Sequence, residues 1–360
     1  MKAAYYESRG GVEALRYGER PDPAPGPGEA LVALRAAGLN HIDLWVREGS
    51  IAPDLPLPHV PGCEGAGTLV ALGPPAPAPA PDLVDSSGAA WDPVPGDRVL
   101  VSPGIPCGVC FACREGQDGF CRSMKTVGVH RSGTFAERIA VPVGCLVPLP
   151  ESRLSPVEWA ALPLATTTAW HMLTTRARLA KGETVLVLGA SSGVGSAAIQ
   201  VAKHFGARVF AAAGSPAKCE KAEGLGAERC FSYREADPVE AVLAETEGRG
   251  VDVVVDPIGG ETWVRAADAL APRGRLVFCA MTAGRNVEID IRKLYTRQIT
   301  LLGSYLGSRA ELREVVRLAG QGALTPIVDS VRDLPLAKDA MAIMEARSHF
   351  GKIVVRMATS

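Results

Sequence analysis

Short apolar runs between glycine and proline breaks characterise the first part of the chain. Residues 30–34 and 97–101 are two such runs, and this spacing is typical of short strands in a compact β domain. Residues 73–95 are instead biased toward proline and alanine. Because proline cannot join the interior of a sheet, this segment is predicted to be an extended surface loop. Its role stays open.

The pattern changes near residue 155, where strand-like apolar runs begin to alternate with helical stretches. This alternation predicts an α/β unit with a doubly wound parallel sheet and right-handed crossovers. The predicted strands are 185–188, 208–211, 251–255 and 274–278.

The segment after about residue 306 is predicted to form two helices and a strand that returns to the first domain. The predicted helices are 309–319 and 337–347, and the strand is 351–355. The resulting domain boundaries are 1–160 for the β-rich domain, 161–305 for the α/β domain and 306–360 for the returning segment.

Length and composition limit the possible functions. A chain of 360 residues exceeds one ordinary core, so two domains are expected. A net charge of −1 predicts neither a nucleic-acid nor a membrane partner. The uncharged run 184–202 is long enough to span a bilayer, but its serines and glycines favour a strand, a tight turn and a helix. With no signal peptide evident at the N-terminus, a cytoplasmic protein is expected.

Four of the nine cysteines are crowded into residues 107–121. The two-residue gaps allow a tight loop to aim successive sulfurs at one metal ion. Four thiolates leave no open coordination position, so the sequence predicts one structural zinc ion. A [4Fe–4S] cluster and four reduced thiols remain as alternatives. The predicted ligands are Cys107, Cys110, Cys113 and Cys121.

A glycine-rich turn follows the first predicted strand of the α/β domain and opens a helix. Turns of this kind let backbone N–H groups and a helix N-terminus meet a pyrophosphate. We therefore predict that a dinucleotide contacts Ser192, Gly193, Val194 and Gly195. Ile258 and Gly259 are predicted to contribute as well, because they follow another parallel strand.

The end of the second strand favours NADPH over NADH. An NAD site usually carries an acidic residue there, about twenty residues beyond the glycines. Here that position is Ala213, followed by Ser215. Lys218 and Tyr233 are predicted to approach the 2′-phosphate of NADPH. A solvent-exposed role for Lys218 is the alternative.

Together the cysteine lobe, the nucleotide turn and the segment 96–99 resemble the medium-chain dehydrogenase/reductases. The resemblance covers nearly the whole chain and implies a GroES-like catalytic domain and a Rossmann coenzyme domain. It also implies a homodimer or homotetramer.

Zinc alcohol dehydrogenases of this family hold a catalytic zinc through a Cys, a His in Gly-His-Glu and a later Cys. The matching positions here are Asn40, Cys63 and Leu164. Leucine cannot bind a metal and asparagine is a poor zinc ligand. A catalytic zinc held by Cys63 with Glu64 or Asp43 would be an atypical site.

Residues 40–49 are similar to the zinc-free quinone reductase branch, in the pattern Asn-x-x-Asp-x-x-x-Arg-x-Gly. The resemblance implies that Asn40 donates a hydrogen bond to substrate and that Trp45 lines the pocket. Asp43 is also a candidate catalytic residue, although an ion pair with Arg47 or a cofactor-orienting role is the main expectation.

Two more cofactor contacts are implied by the resemblance. His41 matches a position at the pyrophosphate, and Thr168 matches one near the nicotinamide. The expected function is hydride transfer from NADPH to a quinone or an α,β-unsaturated carbonyl compound, without catalytic zinc. An alcohol dehydrogenase with an atypical metal and a non-enzymatic NADPH-binding protein are the alternatives.

Overall fold

The computed structural model describes residues 1–76 and 83–358. Part of the predicted proline-rich loop, residues 77–82, lies outside the described residues. The chain divides into two compact units. The first unit comprises Met1–Thr167 and Gly307–Ser360, and the second unit comprises Thr168–Leu306.

Seventeen strands and eleven α-helices are described. The strands are β1 (Lys2–Tyr6), β2 (Leu15–Glu19), β3 (Glu29–Gly38), β4 (Glu64–Leu72), β5 (Arg98–Val101), β6 (Gly104–Ile105), β7 (Lys125–Thr126), β8 (Arg138–Pro142), β9 (Leu146–Pro148), β10 (Thr184–Val187), β11 (Arg208–Ala213), β12 (Arg229–Ser232), β13 (Val251–Asp256), β14 (Leu270–Phe278), β15 (Thr300–Gly303), β16 (Val328–Asp333) and β17 (Lys352–Arg356). The helices are α1 (His41–Glu48), α2 (Phe111–Arg114), α3 (Pro156–Ala160), α4 (Ala165–His171), α5 (Gly193–His204), α6 (Pro216–Gly224), α7 (Pro238–Glu245), α8 (Glu261–Ala266), α9 (Ile291–Arg297), α10 (Arg309–Gly320) and α11 (Ala337–Glu345).

A seven-stranded sheet forms the centre of the first unit. Its order is β16-β17-β3-β4-β5-β9, and β8 also pairs with β3. From Glu29 to Ala36, residues of β3 alternate between half-buried and buried, because one face of the strand packs on the core. The returning strand β17 lies between β16 and β3 and pairs antiparallel with β3, with Val355 opposite Ala37.

The second unit contains the predicted parallel sheet. Its order is β12-β11-β10-β13-β14-β15, and every neighbouring pair is parallel. This is the strand order of a Rossmann-type doubly wound sheet, with its switch point between β10 and β13. The sheet core includes Leu186, Phe210, Val254 and Leu276. The predicted fold class is confirmed.

The uncharged run 184–202 divides between β10, a turn and α5. Neither element is a long apolar helix. Across residues 1–76 and 83–358, no helix is long and apolar enough to cross a membrane.

Candidate functional site

The start of α1 brings several predicted site residues together. Asn40 precedes the helix in an extended conformation, and its backbone N–H donates to the Asp43 carboxylate at 2.8 Å. The other Asp43 oxygen accepts from the Gly62 N–H at 3.0 Å and lies 3.5 Å from Cys63 Sγ. Asp43 thereby fastens α1 to the segment before β4. Burial raises the pKa of Asp43 to about 6.

A buried lysine on β17 organises a polar network beside these residues. Lys352 Nζ donates to Glu64 Oε1 at 2.7 Å, Asn40 Oδ1 at 2.6 Å and Leu39 O at 2.7 Å. The Lys352 and Glu64 side chains are only 6% and 0% exposed. Both oxygens of Glu64 are used, because Oε1 also accepts from Asn40 Nδ2 at 2.7 Å and Oε2 accepts from the Leu164 N–H at 2.5 Å.

The network changes what is expected of Asn40. Its amide nitrogen donates to Glu64 Oε1 and, at 3.4 Å, to Gly38 O. Its amide oxygen accepts from Lys352. A primary amide has two N–H donors, and both are already used. Donation to a substrate therefore does not fit this arrangement, whereas holding Lys352 and Glu64 in place does.

The expected ion pair between Asp43 and Arg47 is wrong. Arg47 is buried and directs its guanidinium toward Glu345 on α11 at 2.5 Å and toward Glu48 at 3.3 Å. Its Nε donates to Gly10 O at 3.0 Å. Arg47 connects α1 to α11, while the Asp43 carboxylate serves backbone N–H groups at the other end of the helix.

Cys63 and Leu164 belong to an apolar cluster with Val46 and Val129. Burial, and then the nearby negative charges of Asp43 and Glu64, raise the pKa of the Cys63 thiol well above its usual value. His59, the other potential ligand nearby, is buried with Nε2 2.9 Å from the Gly128 carbonyl oxygen. These residues do not fit a zinc site, which needs three good protein ligands converging on one point.

His41 and Trp45 occupy neighbouring positions on α1. Both are half-buried, and their ring centroids lie 6.3 Å apart. Burial lowers the pKa of His41 to about 4, and the positive charges of His349, Arg347 and Lys352 act in the same direction. The imidazole is therefore neutral at pH 7, so it keeps one N–H donor.

The cysteine lobe has the geometry of a metal centre. Its four ligand atoms all lie within 4.8 Å of one another. Cys107 Sγ and Cys110 Sγ lie 3.9 and 3.5 Å from Cys113 Sγ, and a tetrahedron with bonds of ~2.3 Å has sulfur–sulfur edges of ~3.8 Å. The backbone N–H of Cys113 lowers the pKa of Cys110 to about 6, which favours the thiolate.

These residues fit a metal ion. No other group of three or more His, Cys, Asp or Glu side chains converges in this way in the part of the chain that the structure describes.

The glycine-rich turn joins β10 to α5 in the second unit. Ser192 precedes α5, and its hydroxyl accepts from the Gly195 N–H at 2.9 Å. A Cβ atom at Gly195 would lie 2.2 Å from the Gly189 carbonyl oxygen, so only glycine lets the helix approach the strand this closely. Gly193 and Val194 form the first turn of α5, where free N–H groups and the helix dipole attract anions.

Tyr233 connects the turn to the end of β11. Its backbone N–H donates to Ala213 O at 2.9 Å, and its hydroxyl accepts from the Gly189 N–H at 2.9 Å. Ala213 is fully buried and ends β11 without a carboxylate. Ser215 immediately precedes α6, and Lys218 lies in its first turn. The structure thus places Ser215, Lys218 and Tyr233 around the ends of two neighbouring strands.

The end of β13 lies beside the same turn. The Asp256 carboxylate accepts from the backbone N–H groups of Ile258 and Gly259 at 2.6 and 3.1 Å. A Cβ atom at Gly189 would lie 3.1 Å from the Ile258 side chain, so the two strand ends are in close contact. Thr168 is buried in α4, and its place near a nicotinamide stays a prediction.

Comparison with known proteins identifies the family. Residues 26–151 match the family model of the alcohol dehydrogenase GroES-like domain, and residues 193–321 match that of the zinc-binding dehydrogenases. An NAD-dependent alcohol dehydrogenase of Sulfolobus acidocaldarius is 31% identical over 99% of this chain and 100% of its own length. The chain belongs to the medium-chain dehydrogenase/reductase superfamily. As a medium-chain dehydrogenase/reductase, the protein is an NAD(P)-dependent oxidoreductase.

Two further proteins similar to this medium-chain dehydrogenase/reductase are named a dehydrogenase and a reductase. A crystal structure described as an NAD-dependent alcohol dehydrogenase shares 38% identity and a TM-score of 0.91, covering 99% of this chain and 100% of that one. The acryloyl-coenzyme A reductase of Metallosphaera sedula is 28% identical over 96% of this chain and 98% of its own length.

Lys352 is a residue of the candidate site that the sequence patterns of this medium-chain dehydrogenase/reductase do not predict. The apolar pattern predicts only that it lies in a strand, although a lysine followed by Ile-Val-Val is unusual in a run of buried residues. That single charge among apolar residues is the signal that could have marked it as paired. Its partner Glu64 is 288 residues away.

Proposed function

We propose that this medium-chain dehydrogenase/reductase transfers hydride from NADPH to a quinone or an α,β-unsaturated carbonyl compound without a catalytic zinc. The observation that carries the proposal is the network of Lys352, Glu64 and Asn40. Its hydrogen bonds use both Glu64 oxygens and the Asn40 amide. Of the three positions that match the family's zinc ligands, only Cys63 then offers a suitable donor atom.

The substrate class follows from the lack of a Lewis acid in the proposed chemistry. Hydride addition to a simple ketone leaves an alkoxide charge that zinc normally stabilises. In a quinone or a conjugated carbonyl compound, the added electrons spread to an oxygen remote from the attacked carbon. A hydrogen bond is then enough to stabilise that oxygen.

We propose NADPH as the coenzyme because of the residues at the ends of β11 and β12. Ser215, Lys218 and Tyr233 offer hydroxyl and ammonium groups to a 2′-phosphate, and Ala213 presents no carboxylate that would repel it. The N-terminus of α5 would hold the pyrophosphate. NADPH supplies the hydride when bound. We assign His41 and Thr168 as further coenzyme contacts.

We also propose one structural zinc ion per chain, held by the four thiolates of the cysteine lobe. It would brace the loop 107–121 and take no part in the reaction, because all four coordination positions are filled by sulfur. The proposed coenzyme and the proposed zinc ion of the lobe therefore have independent roles.

NAD-dependent alcohol dehydrogenation is the second candidate function. It is favoured by the names of two similar proteins, one of them 38% identical. This function would require a second metal ion near Cys63 and comparable binding of NADH. Metal content and coenzyme preference therefore separate the two candidates.

The test combines metal analysis with turnover. Purified protein should contain one zinc ion per chain and oxidise NADPH faster than NADH with a quinone or an enone, but not with a simple ketone. Cys63→Ala should keep the zinc content and the enone or quinone activity. Cys145→Ala, at another buried cysteine of the first unit, is the matched control. Loss of both activity and one of two zinc ions in Cys63→Ala alone, with NADPH still bound, would establish the alcohol dehydrogenase instead.

A further inference from the structure

Two cysteines outside the metal lobe lie side by side in the second unit. Cys219 lies on α6 and Cys230 on β12, and their Sγ atoms are 2.6 Å apart. This distance is only ~0.6 Å longer than a disulfide bond of ~2.05 Å. We propose that Cys219 and Cys230 form an oxidisable dithiol that closes to an intrachain disulfide between α6 and β12.

Backbone contacts already hold the two thiols in register. The Cys219 N–H donates to Ser215 O at 3.0 Å inside the first turn of α6. The Cys230 N–H donates to the Glu223 carboxylate at 2.9 Å, and Glu223 lies one turn after Cys219 on the same helix. Cys230 is also paired with Ala211 of β11 in the parallel sheet. The Glu223 carboxylate therefore ties the helix directly to the backbone of Cys230 on the strand.

Six of the other seven cysteines have sulfur contacts elsewhere. Cys63 Sγ is directed to Asp43, and Cys145 Sγ donates to Gly104 O at 3.6 Å. The lobe cysteines converge on one another. Cys219 and Cys230 therefore have each other as the adjacent sulfur, and exchange with the lobe is not needed for them to pair.

The reaction is a thiol–disulfide exchange, with a low-molecular-weight disulfide as oxidant. Cys230 is half-buried and Cys219 is 6% exposed, so Cys230 is the thiol that an external reagent reaches first. Its thiolate attacks one sulfur of the reagent, the reagent's S–S bond breaks, and one thiol leaves with the proton from Cys230. The Cys219 thiolate then attacks the Cys230 sulfur, and the second thiol leaves with the proton from Cys219. Two protein thiols are oxidised and one external disulfide is reduced.

The disulfide would join the two segments to which the proposed function assigns the 2′-phosphate, so this consequence rests on that function. Ser215 and Lys218 lie within four residues before Cys219, and Tyr233 lies three residues after Cys230. A bound 2′-phosphate would restrict both the motion of α6 and the approach of a reagent. We expect saturating NADPH to slow disulfide formation severalfold, and NADH to slow it less.

Peptide mapping tests the pairing in the intact protein. Reduced, zinc-loaded protein is incubated with oxidised glutathione at alkaline pH, because burial raises the pKa of Cys219 and Cys230. Free thiols are alkylated before tryptic digestion. Cleavage after Lys218, Lys221, Arg229 and Arg234 releases peptides 219–221 and 230–234, which should be recovered joined by one disulfide.

Variants assign the bond. Cys219→Ser and Cys230→Ser should each yield no joined peptide, whereas the control Cys145→Ser should behave as the wild type. Recovery of both peptides alkylated after oxidation of the native wild type, or joined to a lobe cysteine, would overturn the proposal. Equal rates with and without NADPH would overturn only the coupling to the coenzyme, since formation of the bond in coenzyme-free protein does not depend on the proposed function.

Discussion

Replacing Lys352 by methionine removes one charged group, the ammonium, from the buried network. Methionine keeps an unbranched chain of similar length but removes the ammonium. Glu64, which is 0% exposed, would lose its cation, and Leu39 O and Asn40 Oδ1 would lose a donor. Removing one partner of a buried ion pair costs about 3–5 kcal/mol. With a urea m-value of about 3 kcal/mol per M, the midpoint of unfolding should fall by about 1–2 M.

Urea titration followed by tryptophan fluorescence measures this effect. Trp45, Trp91 and Trp159 lie in the first unit and report on its unfolding. The matched control is Lys2→Met, which removes an ion pair to Glu19 of similar length, 2.9 Å, but at exposed side chains. Its midpoint should match the wild type, because exposed ion pairs contribute little.

A double variant separates charge from packing. Glu64→Gln combined with Lys352→Met leaves no unpaired buried charge, so its midpoint should lie above that of Lys352→Met alone. The reasoning is refuted if Lys352→Met unfolds at the wild-type urea concentration, or if the double variant is no more stable than the single one.

Three further predictions concern the metal lobe, the coenzyme and pH. Cys110→Ser should lose the bound zinc and lower the melting temperature, while the affinity for NADPH stays unchanged. Metal analysis, thermal denaturation and coenzyme titration measure these three quantities in turn. Zinc retained by the variant would contradict the assignment of the lobe as the zinc site. Lys218→Ala should weaken NADPH binding about tenfold to hundredfold, the equivalent of ~1.5–3 kcal/mol for a charge-assisted contact, without affecting NADH. Lys221→Ala on the same helix is its control, and an equal loss in both variants would remove the special role of Lys218. The pKa of Asp43 in the folded protein is about 6, which lies above the usual value for an aspartate. The folded protein therefore binds this proton more tightly than the unfolded protein does. The resulting stabilisation is lost as the pH rises from ~4 to ~6. Asp43→Asn cannot titrate, and the urea midpoint of the wild type relative to this variant should therefore decrease across that range; a constant difference would show that Asp43 has an ordinary pKa.

Local patterns in the sequence predicted the elements well. The glycine-rich turn and the apolar runs around it define β10, α5 and the neighbouring strands, because these signals depend on residues close together in the chain. The cysteine spacing likewise places four sulfurs within 4.8 Å of one another. Such features need no knowledge of distant contacts.

Side-chain partners are harder to predict, because they depend on the direction in which each side chain points and on residues of distant strands. Asp43 and Arg47 are four residues apart on α1, a spacing that permits an ion pair. The backbone N–H groups of Asn40 and Gly62 bind the Asp43 carboxylate, and Glu345 binds Arg47. Asn40 likewise has a distant partner, since Lys352 on β17 donates to its amide oxygen. The spacing of residues in the sequence alone predicts neither contact.

The position of β17 inside the sheet, between β16 and β3, has a consequence for how the protein is made. Glu64 and Lys352 are separated by 288 residues, which a ribosome translates in about 15–60 s. During that interval the nascent first unit has β3 without its β17 neighbour, and the Glu64 carboxylate is without its cation. The second unit, Thr168–Leu306, is an uninterrupted stretch of chain, and all of its strands are synthesised about 2–10 s before residue 352. The unit whose synthesis begins first is therefore the unit whose sheet is completed last.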